Sequence, residues 1–171
     1  FRESDSGYVD YSNPRSSYPV SKRAAEVLII CYNKQYNVDT VVARPCHVYG
    51  PTAIRDDVRA SSQFMRDAVV GQTIRMKSEG EQIRSYCYVA DCVSGLLTVL
   101  LKGKTGEAYN VANSNSCVSI REMADIIAAL AGVDIAFELP TSAELASYNP
   151  ARNSILDGSK LQSLGWDPSY T

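Results

Sequence analysis

The chain has 171 residues, 45% of them hydrophobic and 21% charged, an ordinary balance for a globular protein with a real core. A net charge of −2 and a pI near 5.4 exclude the basic field on which nucleic-acid binding depends. Charges of both signs interleave, so no acidic or basic tail is present, and no apolar run approaches the roughly 18 residues of a membrane span.

Residues 1–17 are rich in Ser, Asp and Asn without periodicity; they lack a signal-peptide core and read like the middle of a surface loop. From Pro19 to about Tyr36 the pattern is helical, with an apolar stripe of Val20, Ala24, Val27, Leu28 and Cys31 and with Pro19 suited to the first turn. Thr40 to Arg44 is a β-branched run that predicts a buried strand ended by Pro45. Residues 46–60 are expected to form a loop. A helix follows from about Ser61 to Val70, then short strands at Ile74–Lys77 and Arg84–Val89. Asp91 is expected to cap a helix whose apolar stripe is Val93, Leu96, Leu97 and Leu100. After a strand at Glu107–Ala112, Ser119 and Glu122 form a capping box, with Val118 and Met123 as its hydrophobic staple. That helix runs to Gly132. A strand near Ile135–Glu138, an irregular tail and a short helix near Ser159–Leu164 complete the order, and Trp166, the only tryptophan, reads as the tail's anchor. There is no internal repeat, and the alternation is α/β.

The five cysteines (Cys31, Cys46, Cys87, Cys92, Cys117) contain no C-x-x-C pair and sit in apolar stretches. They read as reduced thiols in a cytoplasmic compartment. One histidine without clustered carboxylates gives no metal site.

The spacing that carries chemistry is Tyr18-Pro19-Val20-Ser21-Lys22. Four residues of helix put phenol and ammonium on one face. An ammonium beside a phenol favours the phenolate, which suits the pair to proton transfer. Taken alone, the spacing also describes a solvated surface pair.

The segments YPVSKRAAE, RPCHVYGP, EGEQIRSYCYVADC, GEAYNVAN, VSIREMADII and SKLQSLGWDP occur in one order from Tyr18 to Pro168. In that order the series resembles the extended short-chain dehydrogenase/reductase family, and within it the nucleotide-sugar epimerases, 4,6-dehydratases and decarboxylases. The resemblance implies an α/β chain: the C-terminal part of an NAD(P)-binding Rossmann-type doubly wound fold plus a small α/β substrate-binding domain. Residues 1–50 would end the dinucleotide-binding domain, and residues 51–171 would be mainly substrate-binding, with residues 91–112 returning to the Rossmann sheet. The glycine-rich fingerprint and the Ser/Thr that completes the family's catalytic set are not in the sequence. They are expected upstream of Phe1, so that this chain alone would be inactive, bind NAD negligibly and tend to self-associate.

By the same resemblance, Tyr18 and Lys22 are catalytic, and Tyr18, Lys22, Pro45 and Val48 contact NAD, with NADP left open. His47, Arg59, Arg84 and Arg152 contact a nucleoside-diphosphate sugar. His47 departs from the family's usual Asn. Arg84 and Arg152 would grip the diphosphate, for which a guanidinium fork is suited. Ser61, Gln63, Met76 and Lys77 fall where relatives hold the nucleotide base. The implied activity is transient oxidation at C4 of the sugar, with epimerisation, 4,6-dehydration and UDP-glucuronate decarboxylation as possible outcomes. The full-length protein would be a cytoplasmic homodimer without nucleic-acid or membrane partners. A non-catalytic, dinucleotide-sensing relative that binds a protein partner, and a small self-contained binding module, are the readings from other classes.

Overall fold

The computed structural model describes residues 1–51, 53–138, 140–141 and 153–171. The elements, in chain order, begin with a short 3-10 turn at Pro14–Ser16. They continue with α1 (Ser17–Tyr36), β1 (Val42–Pro45), β2 (His47–Tyr49), α2 (Ala60–Val69), β3 (Ile74–Met76), β4 (Ile83–Tyr88) and α3 (Val89–Lys102). Then follow β5 (Ala108–Val111), β6 (Cys117–Ser119), α4 (Ile120–Ala131), β7 (Ile135–Phe137), β8 (Asn153–Ser154) and α5 (Ser159–Gln162). They divide into two compact units, one made of residues 1–46, 90–112 and 156–169, the other of residues 47–89, 113–155 and 170–171.

In the first unit β1 and β5 pair in parallel, Val42 opposite Ala108 and Arg44 opposite Asn110. Parallel strands need a long crossover, and α3 lies within it. The buried apolar residues here are Cys92, Val99, Tyr109, Val111, Ala112, Leu161 and Trp166. Trp166 anchors the tail as expected: it is 4% exposed, and its Nε1 donates to the Asp91 carbonyl at 3.2 Å and to the Ser94 Oγ at 3.0 Å.

Three helical expectations are corrected in this unit. Helix α3 starts at Val89, so Asp91 lies inside the first turn rather than at the cap; its Oδ1 accepts from the Ser169 N–H at 3.0 Å. The buried face of α3 is Cys92, Gly95 and Val99, while Val93, Leu96, Leu97 and Leu100 are exposed. Packing selected the small residues. A Cβ on Gly95 would lie 2.7 Å from Val111 Cγ1 and 3.2 Å from the Trp166 ring, so only a glycine lets indole and strand approach together. In α1, Ala24, Val27, Leu28 and Cys31 are likewise exposed.

In the second unit β4 is central: β2 pairs with it in parallel, β6 antiparallel and β8 in parallel. A separate parallel pair joins β3 and β7. Helices α2 and α4 pack over a core of Phe64, Ala68, Ile74, Met76, Ala124 and Ala128. Strand β2 lies within the stretch expected to be a loop. The capping box is present as read: Ser119 Oγ accepts from the Glu122 N–H at 3.0 Å, and Glu122 Oε2 accepts from the Ser119 N–H at 2.7 Å. Val118 and Met123 line a common cavity. At the other end Gly132 adopts φ 67°, the left-handed C-cap that a side chain would strain. Ser119→Ala is expected to cost about 1 kcal/mol, read as a lower urea midpoint with an unchanged slope; no change would mean that the box is not formed in solution.

Candidate functional site

The phenol–ammonium pair sits at the start of α1. The Lys22 Nζ lies 5.5 Å from the centre of the Tyr18 ring, on the same helix face. Tyr18 is 69% exposed, which leaves its hydroxyl open to a ligand. The next turn fixes the helix. Glu26 receives a two-pronged bond from Arg44 of β1, Nε to Oε1 at 2.8 Å and Nη2 to Oε2 at 2.6 Å. Planar fork on carboxylate resists rotation, so α1 is held against the strand one turn beyond Lys22. Arg23 donates to the carbonyls of Ser6 and Gly7 and ties the leading loop to the same helix. Pro45, one of the expected cofactor contacts, ends β1 with its ring exposed.

The remaining described candidates lie in the second unit. Val48 is the middle residue of β2, and its carbonyl accepts from Arg59 Nη1 at 3.0 Å. Arg59 stands at the N-cap of α2 and grips Asp57, with Nε at 2.9 Å and 3.0 Å from the two oxygens and Nη2 at 2.5 Å from Oδ2. Asp57 also accepts from the Ser62 Oγ at 2.7 Å. These donors, Arg59 foremost, hold the Asp57 carboxyl well below the usual carboxylate range. An anion at Arg59 would have to share the guanidinium with that carboxylate.

His47 opens β2 directly opposite Tyr86, with the ring centres 5.7 Å apart. Partial enclosure lowers its pKa below the ordinary histidine value; the Arg84 and Arg59 guanidinia act in the same direction, against a hydrogen bond to the Ser85 backbone. Arg84, on β4, is 7% exposed, with Nη1 donating to the Ile83 carbonyl at 2.9 Å. It lines a cleft of about 460 Å3 together with Gln63, Met76 and Lys77. Phe64, Met76 and Ile120 give that cleft apolar walls, and Arg75, Lys77 and Arg84 give it cationic edges. Ser61 instead lines a smaller cavity of about 230 Å3, walled by Tyr49, Met65, Tyr86 and Met123. Arg152 lies outside the described residues. Sequence reasoning missed Arg75 and Gln82 in the cleft, and it missed Asp57, although a carboxylate two residues before an arginine was a local signal. Among the described residues no group of three or more His, Cys, Asp or Glu could hold a metal, and no helix is long and apolar enough to cross a membrane.

A parallel strand pair with its crossover helix, a helix bearing the Tyr18–Lys22 pair and a second α/β unit define a Rossmann-type architecture. Solved structures agree. The dTDP-glucose 4,6-dehydratase of Bacillus anthracis in complex with NAD superposes with a TM-score of 0.77 at 24% identity, over 98% of this chain and 52% of that one. The UDP-glucose 4-epimerase of Thermotoga maritima gives 0.79 at 21% identity, over 98% and 55%. Residues 1–112 match the model of the NAD dependent epimerase/dehydratase family, and the chain belongs to that family. UDP-glucuronic acid decarboxylase 6 of Arabidopsis thaliana is 31% identical over 166 residues, 97% of this chain and 47% of its own length. UDP-glucuronic acid decarboxylase 1 of Xenopus tropicalis is 32% identical over 162 residues, 95% and 37%. The chain thus spans about half the length, or less, of the curated relatives it matches.

Proposed function

We propose that the full-length protein is an NAD-dependent enzyme that transiently oxidises C4 of a nucleoside-diphosphate sugar. The observation that carries this reading is the exposed Tyr18 with the Lys22 ammonium on the same helix face, in a chain of this family. Such a pair fits a nicotinamide cofactor: a cationic side chain for ribose hydroxyls, next to a phenol open to substrate. NAD, when bound, accepts and returns the hydride. Tyr18 Oη takes the proton of the sugar 4-hydroxyl and gives it back, and Lys22 holds the ribose and keeps positive charge beside the phenolic oxygen. Pro45 and Val48 would add to the cofactor contacts. Arg84, with His47, Arg59 and Arg152, holds the diphosphate, and the apolar walls of the Arg84 cleft suit the base. In this reading residues 1–50 and 91–112 belong to the dinucleotide-binding domain, and the rest of the chain is mainly substrate-binding. The protein works in the cytoplasm, in keeping with five free cysteines, and as a homodimer, in keeping with the exposed apolar stripe of α1.

Among the outcomes of a 4-keto sugar, decarboxylation of UDP-glucuronate is the second reading, favoured by the curated relatives named as such decarboxylases. A β-keto acid loses carbon dioxide without a further acid or base. Incubating the full-length protein with NAD and a panel of UDP- and dTDP-sugars is the test. An epimer, a 4-keto-6-deoxy sugar or a pentose with released carbon dioxide would each name the outcome, whereas NAD binding without turnover on any of them would favour a dinucleotide sensor. In the same protein, Arg84→Ala is expected to weaken sugar-nucleotide binding by roughly tenfold or more, the worth of one charged hydrogen-bond pair at about 1.5–3 kcal/mol. NAD affinity should not change; equal loss of both would remove Arg84 from the substrate site.

A further inference from the structure

Residues 1–7 form no helix or strand, yet they are bonded to both strands of the first unit and to α1. Glu107 and Val111 give their carbonyls to the N–H groups of Val42 and Cys46, on the β1 side of β5. Asn110, the neighbour of Val111, gives its N–H instead to Glu3 Oε1 at 2.8 Å. The Glu3 carbonyl accepts from Arg44 Nη1 at 3.1 Å, and Arg44 is the register partner of Asn110. One residue therefore engages both strands, β5 through its side chain and β1 through its main chain.

The other nitrogens of the same guanidinium, Nε and Nη2, hold Glu26 of α1. A guanidinium is planar, so a bond that sets its plane from the loop side also sets the carboxylate on the helix side. Further along the loop, the carbonyls of Ser6 and Gly7 accept from Arg23, which follows Lys22 directly. The turn from Lys22 to Glu26 is thus gripped twice, and both grips lead back to one stretch of loop. A helix held at one point can roll about its axis; held at two, it cannot. A roll would displace Tyr18 and Lys22 together, since they share a face. The base of the loop is secured separately: Asn110 Nδ2 donates to the carbonyls of Phe1 and Asp157, at 3.1 Å each.

Resting on the catalytic reading of Tyr18 and Lys22 given above, we propose that Glu3 is a positioning residue for the reaction. It holds the leading loop on both strands and so fixes the rotation of α1 at which phenol and ammonium meet sugar and cofactor. Glu3 touches neither of them and acts through Arg44 and Arg23.

The test uses the full-length protein with NAD and the UDP- or dTDP-sugar of the panel that it turns over. Glu3→Ala should lower kcat by about tenfold to a hundredfold, the scale of a misplacement of about 1 Å. By calorimetry, NAD affinity should fall about tenfold, the lower end of what a charged hydrogen bond contributes, because Lys22 leaves the ribose. Affinity for the sugar nucleotide should stay within about twofold of wild type. Glu3→Gln keeps an oxygen for the Asn110 N–H and should recover most of both losses. If Glu3→Ala folds poorly by circular dichroism, Glu3→Met, with similar reach and no oxygen, takes its place. Wild-type kcat or wild-type NAD affinity in that variant overturns the proposal, and so do losses that Gln does not recover. An equal loss of sugar-nucleotide affinity overturns it too, as a sign of general loosening. Tyr18→Phe keeps the two readings apart. If it turns over like wild type, or if no sugar of the panel is turned over, the catalytic reading falls and this proposal with it. If only the Glu3 results fail, the catalytic reading stands.

Discussion

Tyr18→Phe in the full-length protein is expected to lower kcat by about a factor of 10² to 10⁴, the usual worth of a positioned proton-transfer group. The substitution deletes one oxygen and keeps the ring beside the Lys22 ammonium. It should leave helix α1 unchanged, since the bond that fixes the helix is the Glu26–Arg44 pair. Sugar-nucleotide affinity should therefore stay within about twofold of wild type, because the loss falls on an interaction made only in the transition state. Lys22→Met should lower kcat too and should also weaken NAD binding, as the ammonium has a second task at the ribose. The measurement is steady-state turnover at saturating NAD with equilibrium binding alongside. Near-wild-type turnover by the Phe variant would make the exposed pair a solvated surface feature and would remove the catalytic reading.

Trp166→Ala is expected to destabilise the protein by about 3–5 kcal/mol, the range for truncating a buried large aromatic. The indole is enclosed against Gly95 and gives its N–H to the Asp91 carbonyl and Ser94 Oγ. Removing it leaves a void against a helix that cannot refill it, because the facing residue has no side chain. Against the 5–15 kcal/mol typical of a whole domain, roughly that loss is large enough to leave a measurable unfolded population. Trp166→Phe keeps most of the volume and should cost less; the lost N–H bond accounts for about 1 kcal/mol of that. Urea unfolding monitored by far-ultraviolet circular dichroism checks both. A midpoint for Trp166→Ala equal to wild type would mean that the tail does not belong to the core.

What the sequence made legible was local. The capping box at Ser119 needs only four residues, and the Tyr18–Lys22 pair needs five; both stand where the spacing placed them. Strands β1, β4 and β5 were found through their β-branched or aromatic runs. Strand β2 was not, because His47–Tyr49 is three residues long, flanked by Pro45 and Gly50, and exists by pairing with β4, remote in sequence. The same holds for β6 and β8. Helix periodicity named the large apolar residues of α3, whereas Trp166 selected the small ones, a choice visible only once the tail is in place. Around the cleft, resemblance singled out Gln63, Met76, Lys77 and Arg84, which do meet there; Arg75 and Gln82 join them through the fold alone.

The interleaving of the chain has a consequence for how the protein comes into being. The first unit draws on residues 1–46, 90–112 and 156–169, and its strands join Val42 to Ala108 before Leu161 and Trp166 complete the core. On a ribosome, α1 and β1 emerge and then wait, their apolar surfaces unmatched, while the whole of residues 47–89 is made. Contacts so distant in sequence close slowly, since loop entropy must be overcome before the contact is gained. Over that interval the nascent chain carries a helix and a strand in need of protection, a state in which chaperones find their clients. It also makes residues 156–169 a checkpoint: a chain that loses them to a protease loses part of the core of a unit begun far earlier in the sequence.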